Sequence, residues 1–531
     1  MKKISYLLLG LFVFSASSCE KYLETVPQDF ISPANYYSTE KELNIALAGV
    51  YDAFAQDGTY SRHLAIELVQ GTDETFRKRD DNNIFVHKYN HDATESTLGL
   101  TWKQLYDVIN RANLLLANIN KPSMTETKRN DIKGQTLFLR AHAYFWLVSL
   151  WGDVPLILEP VTSAANVNRP RTPSVDVYNQ ILTDMTTAEA LVSTFNHPGT
   201  ISKSAVQGVL ARVCLKMAGY PLNMGRPMFE QAKSWALKVV QSGIHRLNPD
   251  YAQIFINQSA DQYDLTNKEC IWEIEFTGNN VGTAKEGSRF ANILAIRFSG
   301  ADIGYGYASV APNGYLFKMY GTDATIPDVR RDWNIAPFKY TSTTNSTKVA
   351  FLSTDIYNRD AGKWRREYEP AGLTKSQDWG PTNFPVLRYA DVLLMLAEAE
   401  NELNGPTAAL PYFNQVRARA VAASAVTAFT TYPYGSGLSL VAVDTKDNFR
   451  LAIMSERARE LAYEGLRKMD LIRWHTLIPT LKAVETDIKT YSPLGYSAIG
   501  FTNAADKHYL LPIPSLEISL NKSMTQNLGW N

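Results

Sequence analysis

Apolar residues recur every three to four positions along most of the chain, the spacing of amphipathic helices. Between Glu40 and Ala55 one stripe holds Leu43, Leu47, Val50, Tyr51 and Phe54. Leu98 to Ile119 carries Trp102, Leu105, Ile109, Ala112 and Leu116 in the same rhythm. Leu137 to Trp151 is apolar except at Arg140, His142 and Ser149, which predicts a helix buried on all sides. It is too short for a membrane span, which needs about 20 residues. Thr172-Pro173 supplies a cap and a first-turn proline for a helix through Val192. Ser204–Gly219 and Met228–Gly243 form one helical hairpin, and Tyr389–Leu403 and Thr407–Ala422 another, each joined by breaker residues. Small residues, such as Ala232/Ala236 and Ala397/Ala399, let paired helices approach closely, as in tetratricopeptide pairs of about 34 residues. From about 245 to 385 the rhythm stops, and Gly, Asn, Thr and aromatics dominate. Only Ile271–Phe276 alternates like a strand there. That stretch is too long for a bare loop and reads as an irregular lobe packed on the helices. Phe429–Val443 is a second loop-rich interruption. The predicted fold is mainly α: a tetratricopeptide-like helical superhelix with a loop-rich irregular lobe and minor β.

The 531 residues include 53 basic and 53 acidic side chains. A net charge of zero lacks the basic face that nucleic-acid binding needs. No CxxC or Cys/His cluster exists among Cys19, Cys214 and Cys270, which excludes a zinc or iron–sulfur centre. Cys214 and Cys270 read as two independent buried thiols, although a bridge is allowed outside the cytoplasm. The first residues, MKKISYLLLGLFVFSASSC, have a basic start, a short apolar core and small residues before Cys19. Residues 1–18 therefore read as a secretory signal peptide. The cysteine that follows is placed for lipidation, although Ala16 stands where a bacterial lipobox usually has Leu. Residues 19–531 then form one domain, with the helical scaffold at about 26–245 and 385–531 and the lobe at about 245–385.

Catalytic signatures are absent: there is no HExxH, GxSxG or Walker-type loop. Gly304-Tyr-Gly-Tyr-Ala-Ser309 lacks the third glycine and the βαβ setting of a dinucleotide fingerprint. The densest charged stretch, Glu456 to Arg473, puts Glu456, Glu460 and Glu464 on one helical stripe, with Arg459, Arg467 and Lys468 close enough to pair with them. Paired acids suit structure better than catalysis, which would need a raised pKa. No enzyme activity and no cofactor are expected. The polar loop Asp73 to Asn83 offers Asp73, Arg77, Arg79 and Asn82 for sugar contacts, and its oxygens also suit a calcium ion, without EF-hand spacing. In the lobe, Tyr305, Tyr307, Trp333, Tyr340, Trp364 and Trp379 lie where no helical face would bury them. Their flat rings offer apolar faces to sugars, and of these Tyr305, Tyr307, Trp333 and Trp379 are the candidate binding residues.

A set of short segments, in order along the whole chain, resembles the SusD/RagB family of Bacteroidetes outer-membrane lipoproteins. They begin with Cys19-Glu-Lys-Tyr-Leu-Glu-Thr-Val-Pro27 and Leu47-Ala-Gly-Val-Tyr51. Next come Trp102-Lys-Gln-Leu-Tyr106, Ile109-Asn-Arg-Ala-Asn113 and Phe138-Leu-Arg-Ala-His-Ala-Tyr144 with Trp151-Gly-Asp-Val-Pro155. Arg388 to Glu400, Phe413 to Arg419, Glu456 to Leu461, Glu464 to Arg473 and Leu511-Pro-Ile-Pro514 complete the series. The resemblance implies a lipoprotein anchored through Cys19 on the outer face of the outer membrane. It implies a SusC-like TonB-dependent transporter as partner and a glycan ligand, with peptide capture or a pure protein-interaction scaffold as alternatives. Family motifs here are scaffold, so no binding residue is carried over from them.

Overall fold

The computed structural model describes residues 36–79, 83–161, 168–280, 286–321, 328–421, 431–434 and 439–530. The signal segment, Cys19 and Asn82 lie outside the described residues. Helix α1 (Glu40–Phe54) opens with a capping box: Thr39 Oγ1 accepts from the Glu42 amide at 3.2 Å, and the Glu42 carboxylate accepts from the Thr39 amide at 3.0 Å. Its predicted stripe is the buried face, except that Tyr51 is only half-buried. Helix α2 (Ser96–Asn118) buries Trp102, Leu105, Ile109 and Ala112. Helix α3 (Glu126–Trp151) packs on α1 and α2 and is buried at every residue from Gly134 to Trp151. Two of its polar side chains find partners inside the core. Arg140 makes a two-point contact with Asp184 at 2.8 and 2.9 Å, and His142 Nε2 lies 2.7 Å from the Tyr60 hydroxyl.

Helix α4 (Ser174–Leu191) starts one residue later than predicted. Thr172 lies one residue before the cap and pairs with Val154, its amide donating to the Val154 carbonyl at 3.0 Å. Pro173 takes the cap position, and the Asp153 carboxylate accepts from the Ser174 amide at 2.7 Å. Helices α5 (Lys203–Ala218) and α6 (Arg226–Gln241) form the first predicted hairpin. After α7 (Tyr251–Ser259), α8 (Tyr389–Asn404) and α9 (Pro406–Ala420) form the second. Ala232, Ala236, Ala397 and Ala399 are all buried, and α6 packs against both α5 and α8, which joins the two hairpins.

The charged stretch at 456–473 is not one helix. Helix α10 (Lys446–Glu460) ends, and α11 (Arg467–Arg473) begins after a turn with Tyr463 at φ 69° and Gly465 at φ 75°. Side chains disfavour that left-handed backbone, so the helix cannot continue through it. Glu464 thus leaves the stripe, yet it converges with Glu460 on Arg388 at 2.7 and 2.9 Å. Glu460 also meets Arg419 at 2.6 Å and Arg330 at 2.9 Å, and Glu456 meets Arg330 and Arg459, both at 2.7 Å. Arg467 pairs with Asp73 at 2.6 Å rather than with its helical neighbours, and the Lys468 ammonium donates to the Leu68 carbonyl at 3.1 Å. Helices α12 (Leu477–Tyr491) and α13 (Ser515–Leu520) follow.

Among the described residues the strands form four antiparallel pairs. β1 (Thr75–Arg77) pairs with β3 (Val310–Pro312), β2 (Cys270–Ile274) with β6 (Phe384–Arg388), β4 (Phe338–Ser342) with β5 (Asn345–Ala350), and β7 (Thr431–Tyr434) with β8 (Ser439–Ala442). The lobe shares the helices' core through Phe290, Leu316, Ile335 and Trp364. Trp364 is 1% exposed and its indole N–H donates to Gln258 at 2.8 Å, while Tyr340 is buried against Phe298. Neither ring is a surface aromatic, contrary to the expectation from sequence. Both described thiols, Cys214 and Cys270, are free. Among the described residues, no helix is long and apolar enough to cross a membrane.

Candidate ligand-binding site

Two loops of the lobe meet around one buried guanidinium. Arg366 donates to the Tyr305 carbonyl at 2.7 Å, the Ser376 carbonyl at 2.8 Å and the Trp379 carbonyl at 3.1 Å. Glu369 balances its charge at 2.7 Å. Gly304, at φ 101°, makes room: a Cβ there would sit 2.9 Å from Arg366 Cζ. Asn292, fully buried, donates to the Gln377 carbonyl at 3.0 Å, and its own carbonyl accepts from the Tyr307 amide at 2.8 Å. Ser288 and Gly380 exchange both backbone hydrogen bonds at 2.8 and 2.9 Å. The β1–β3 pairing brings the 75–79 segment alongside, with the Lys78 amide donating to the Ser309 carbonyl at 3.0 Å.

This frame presents Tyr305, Tyr307 and Trp379 half-exposed. The two tyrosine rings lie 4.7 Å apart, inclined at 60°. The Tyr307 hydroxyl donates to the Asp378 carboxylate. Burial, and then that carboxylate, hold the phenol above its ordinary range, so it stays a donor at neutral pH. Arg289 lies 3.9 Å from Asp378 and covers the Trp379 ring at 5.2 Å. Arg79 sits over Tyr307 at 5.7 Å. The result is an aromatic platform with a charged rim of Arg79, Arg289 and Asp378. Apolar ring faces beside fixed charged donors and acceptors suit a ligand with both CH-rich faces and hydroxyls.

The structure brings together four residues singled out from sequence: Arg79, Tyr305, Tyr307 and Trp379. Of the others, Asp73, Arg77 and Trp333 lie apart. Asp73 is 1% exposed and held by Arg467 at 2.6 and 2.8 Å, so it is an internal ion-pair partner and cannot meet a ligand. Its neighbour Glu74 is equally buried and accepts from the Tyr463 amide at 3.1 Å. These two carboxylates are therefore withdrawn from the loop considered for calcium, and no cluster of three or more metal-ligating side chains occurs among the described residues. Arg77 stacks on Phe85 at 4.3 Å. Trp333 donates to the Lys363 carbonyl at 3.1 Å and is covered by Arg365 at 4.0 Å, away from the platform's contacts. Arg289, Asp378 and the clamp residues Arg366 and Asn292 escaped the sequence reading. The local signal was Gly304-Tyr-Gly-Tyr307, glycines set between exposed rings.

A groove of about 800 Å³ lies between α2 and α13 and is lined in part by Leu100, Tyr106, Ile157, Leu516 and Leu520. It presents aliphatic side chains, three of them exposed: Leu100, Leu516 and Leu520. Its wall also holds the Trp102 and Tyr106 rings, 5.2 Å apart, and the Lys103–Asp107 ion pair at 2.5 Å.

Comparison with known proteins agrees with this architecture. The family model described as "Starch-binding associating with outer membrane" matches residues 21–215, and the "SusD family" model matches residues 268–530. SusD-like protein P25 of Formosa agariphila is 28% identical, over 100% of this chain and 99% of its own length. The crystal structure of a SusD homolog from Bacteroides thetaiotaomicron superposes with a TM-score of 0.83 at 26% identity, covering 94% of this chain and 98% of that one. A laminarin-binding SusD-like protein shares the fold, with a TM-score of 0.66 at 22% identity over 93% of this chain and 100% of that one. With both family models matched in chain order, and a relative and a solved fold aligned nearly end to end, the chain belongs to the SusD/RagB family.

Proposed function

We propose that this protein binds carbohydrate at the cell surface and delivers it to a TonB-dependent, SusC-like transporter of the outer membrane, without chemically altering it. The observation that carries the reading is the Tyr305–Tyr307–Trp379 platform with its charged rim. The rings stack on sugar faces, and Arg79, Arg289 and Asp378 hydrogen-bond the hydroxyls. The outer-membrane association in the matching family description and the laminarin ligand of a structural neighbour support it. Glu456 and Glu460 of α10 support a binding role too, since each faces buried guanidinium groups instead of an open cleft. In this reading Cys19 carries the lipid that holds the protein on the outer face.

Calorimetric titration of a soluble form lacking residues 1–19 against laminari-oligosaccharides, other glycans and mixed peptides tests the proposal. Saturable heat with one glycan class is expected. Trp379→Ala and Tyr307→Ala should each weaken it about tenfold, or about 1.4 kcal/mol. Heat with peptides alone would replace carbohydrate by peptide as the cargo, and new reducing ends on incubation with a glycan would overturn the binding-only role. Cys19→Ala is expected to move the full-length protein from the membrane to the soluble fraction; unchanged anchoring would refute the lipid attachment.

A further inference from the structure

A pocket of about 330 Å³ opens between the C-terminal end of α3, helices α4 and α5, and the segment 509–528. It shares no lining residue with the aromatic platform, so the two readings stand or fall separately. Lys216 enters its wall from α5 and is 4% exposed. Its ammonium makes one hydrogen bond, a long one of 3.4 Å to the Tyr220 carbonyl. The acid that acts on it, Asp470, is already held by Arg457 at 2.7 Å and Arg473 at 2.9 Å. A second lining cation, Arg171, rests on neutral acceptors: the Asp153 carbonyl at 2.8 Å, the Thr525 and Trp151 carbonyls, and Asn527 Oδ1 at 2.6 Å. Asp153 is the one carboxylate of the lining, and one of its oxygens is occupied by the Ser174 amide. Tyr178 and Ser149, buried in the same wall, bond only to each other at 3.3 Å.

Burying an ammonium that shares its acid with two guanidinium groups and lacks a full set of acceptors is costly. Helix propensity and packing do not require it, since methionine would fill the same volume. Two lining cations, one engaged acid and two hydroxyls bonded only to each other make the pocket complementary to a small anion.

We propose that this pocket is a second ligand site, which takes a compact organic anion through its carboxylate or phosphate group, with Lys216 as the buried cationic contact and Arg171 adding positive charge at the wall. Burial, reinforced by Arg473, pulls the Lys216 ammonium down to about 7. An anion bound against it restores the charged form, so binding at pH 7 takes up a proton.

The test is calorimetry on the soluble chain with inorganic phosphate and with citrate as probes, and glycerol as the uncharged control. Measurements at pH 7 in two non-phosphate buffers of different ionisation enthalpy read the proton uptake. Saturable binding of at least one anion, with proton uptake and no response to glycerol, is expected, and the anion that binds names the ligand group. Lys216→Met should weaken it at least tenfold and abolish the proton uptake, Arg171→Gln should weaken it about fivefold, and Trp379→Ala should leave it unchanged. Should Lys216→Met fail to fold, the uptake in the unmodified protein and the Arg171→Gln response decide. Silence from both anions, or binding that ignores both substitutions, overturns the site.

Discussion

Arg388→Met is expected to destabilise the protein by about 3–5 kcal/mol, the cost of leaving buried charge uncompensated. Arg388 is 1% exposed and its guanidinium meets Glu269, Glu460 and Glu464 at 2.7–2.9 Å. Those acids come from the approach to β2, from the end of α10 and from the turn after it. Methionine fills the volume but leaves three carboxylates facing one another with fewer cations. Burial alone would raise the Glu460 carboxyl, but Arg419, Arg388 and Arg330 together pull it down to about 2. A folded-state pKa below the ordinary 4.5 contributes stability that is present above pH 4.5 and lost as pH falls towards 2. Arg388→Met removes part of that depression, so acid unfolding, followed by circular dichroism, should move to higher pH along with a lower urea midpoint. An unchanged midpoint in both titrations would show that the remaining arginines hold the network alone.

The second large effect concerns ligand capture. Arg366→Met should weaken glycan binding by more than tenfold while the helical scaffold melts close to its original temperature. The guanidinium supplies three charge-assisted bonds to loop carbonyls, each worth about 1.5–3 kcal/mol when buried. Its loss frees the 305 and 376–379 loops from each other, and a platform whose support is gone loses affinity through geometry. Glu369 keeps Lys375 at 3.1 Å, which limits the damage to the lobe. Calorimetry together with thermal melting at 222 nm separates the outcomes. Full affinity in the variant would mean that packing holds the loops without the clamp, and a collapse of the helical melt would mean that Arg366 supports the whole fold.

The helices were legible because one buried stripe per helix leaves a period in the sequence. The boundaries of α1, α5 and α8 fall within two residues of those read from spacing. The break between α10 and α11 was not legible, since the charges continue in helical register across it and only the backbone at Tyr463 and Gly465 departs. Within the lobe, aromatic content alone did not separate the platform from the core. Tyr305 and Trp364 both lack a helical face, yet Trp364 is sealed against Gln258, Phe255 and Phe290, contacts made by distant parts of the chain. Asp73 misled for the same reason: its partner, Arg467, is 394 residues away. Arg366 was invisible because a side chain that grips main-chain carbonyls leaves no periodic trace.

That grip on the main chain has a consequence for how such a protein diversifies. Arg366 and Asn292 hold the peptide groups of residues 305, 307, 376, 377 and 379 and take no hold on the side chains those residues display. The frame therefore does not depend on the outward groups: under the proposed function, substitutions at 305, 307 and 379 would retune cargo preference while the loop course is kept. A lineage meeting a new polysaccharide has no need to reinvent the frame, and an engineer seeking altered selectivity would randomise those three positions and leave Gly304, Asn292 and Arg366 untouched.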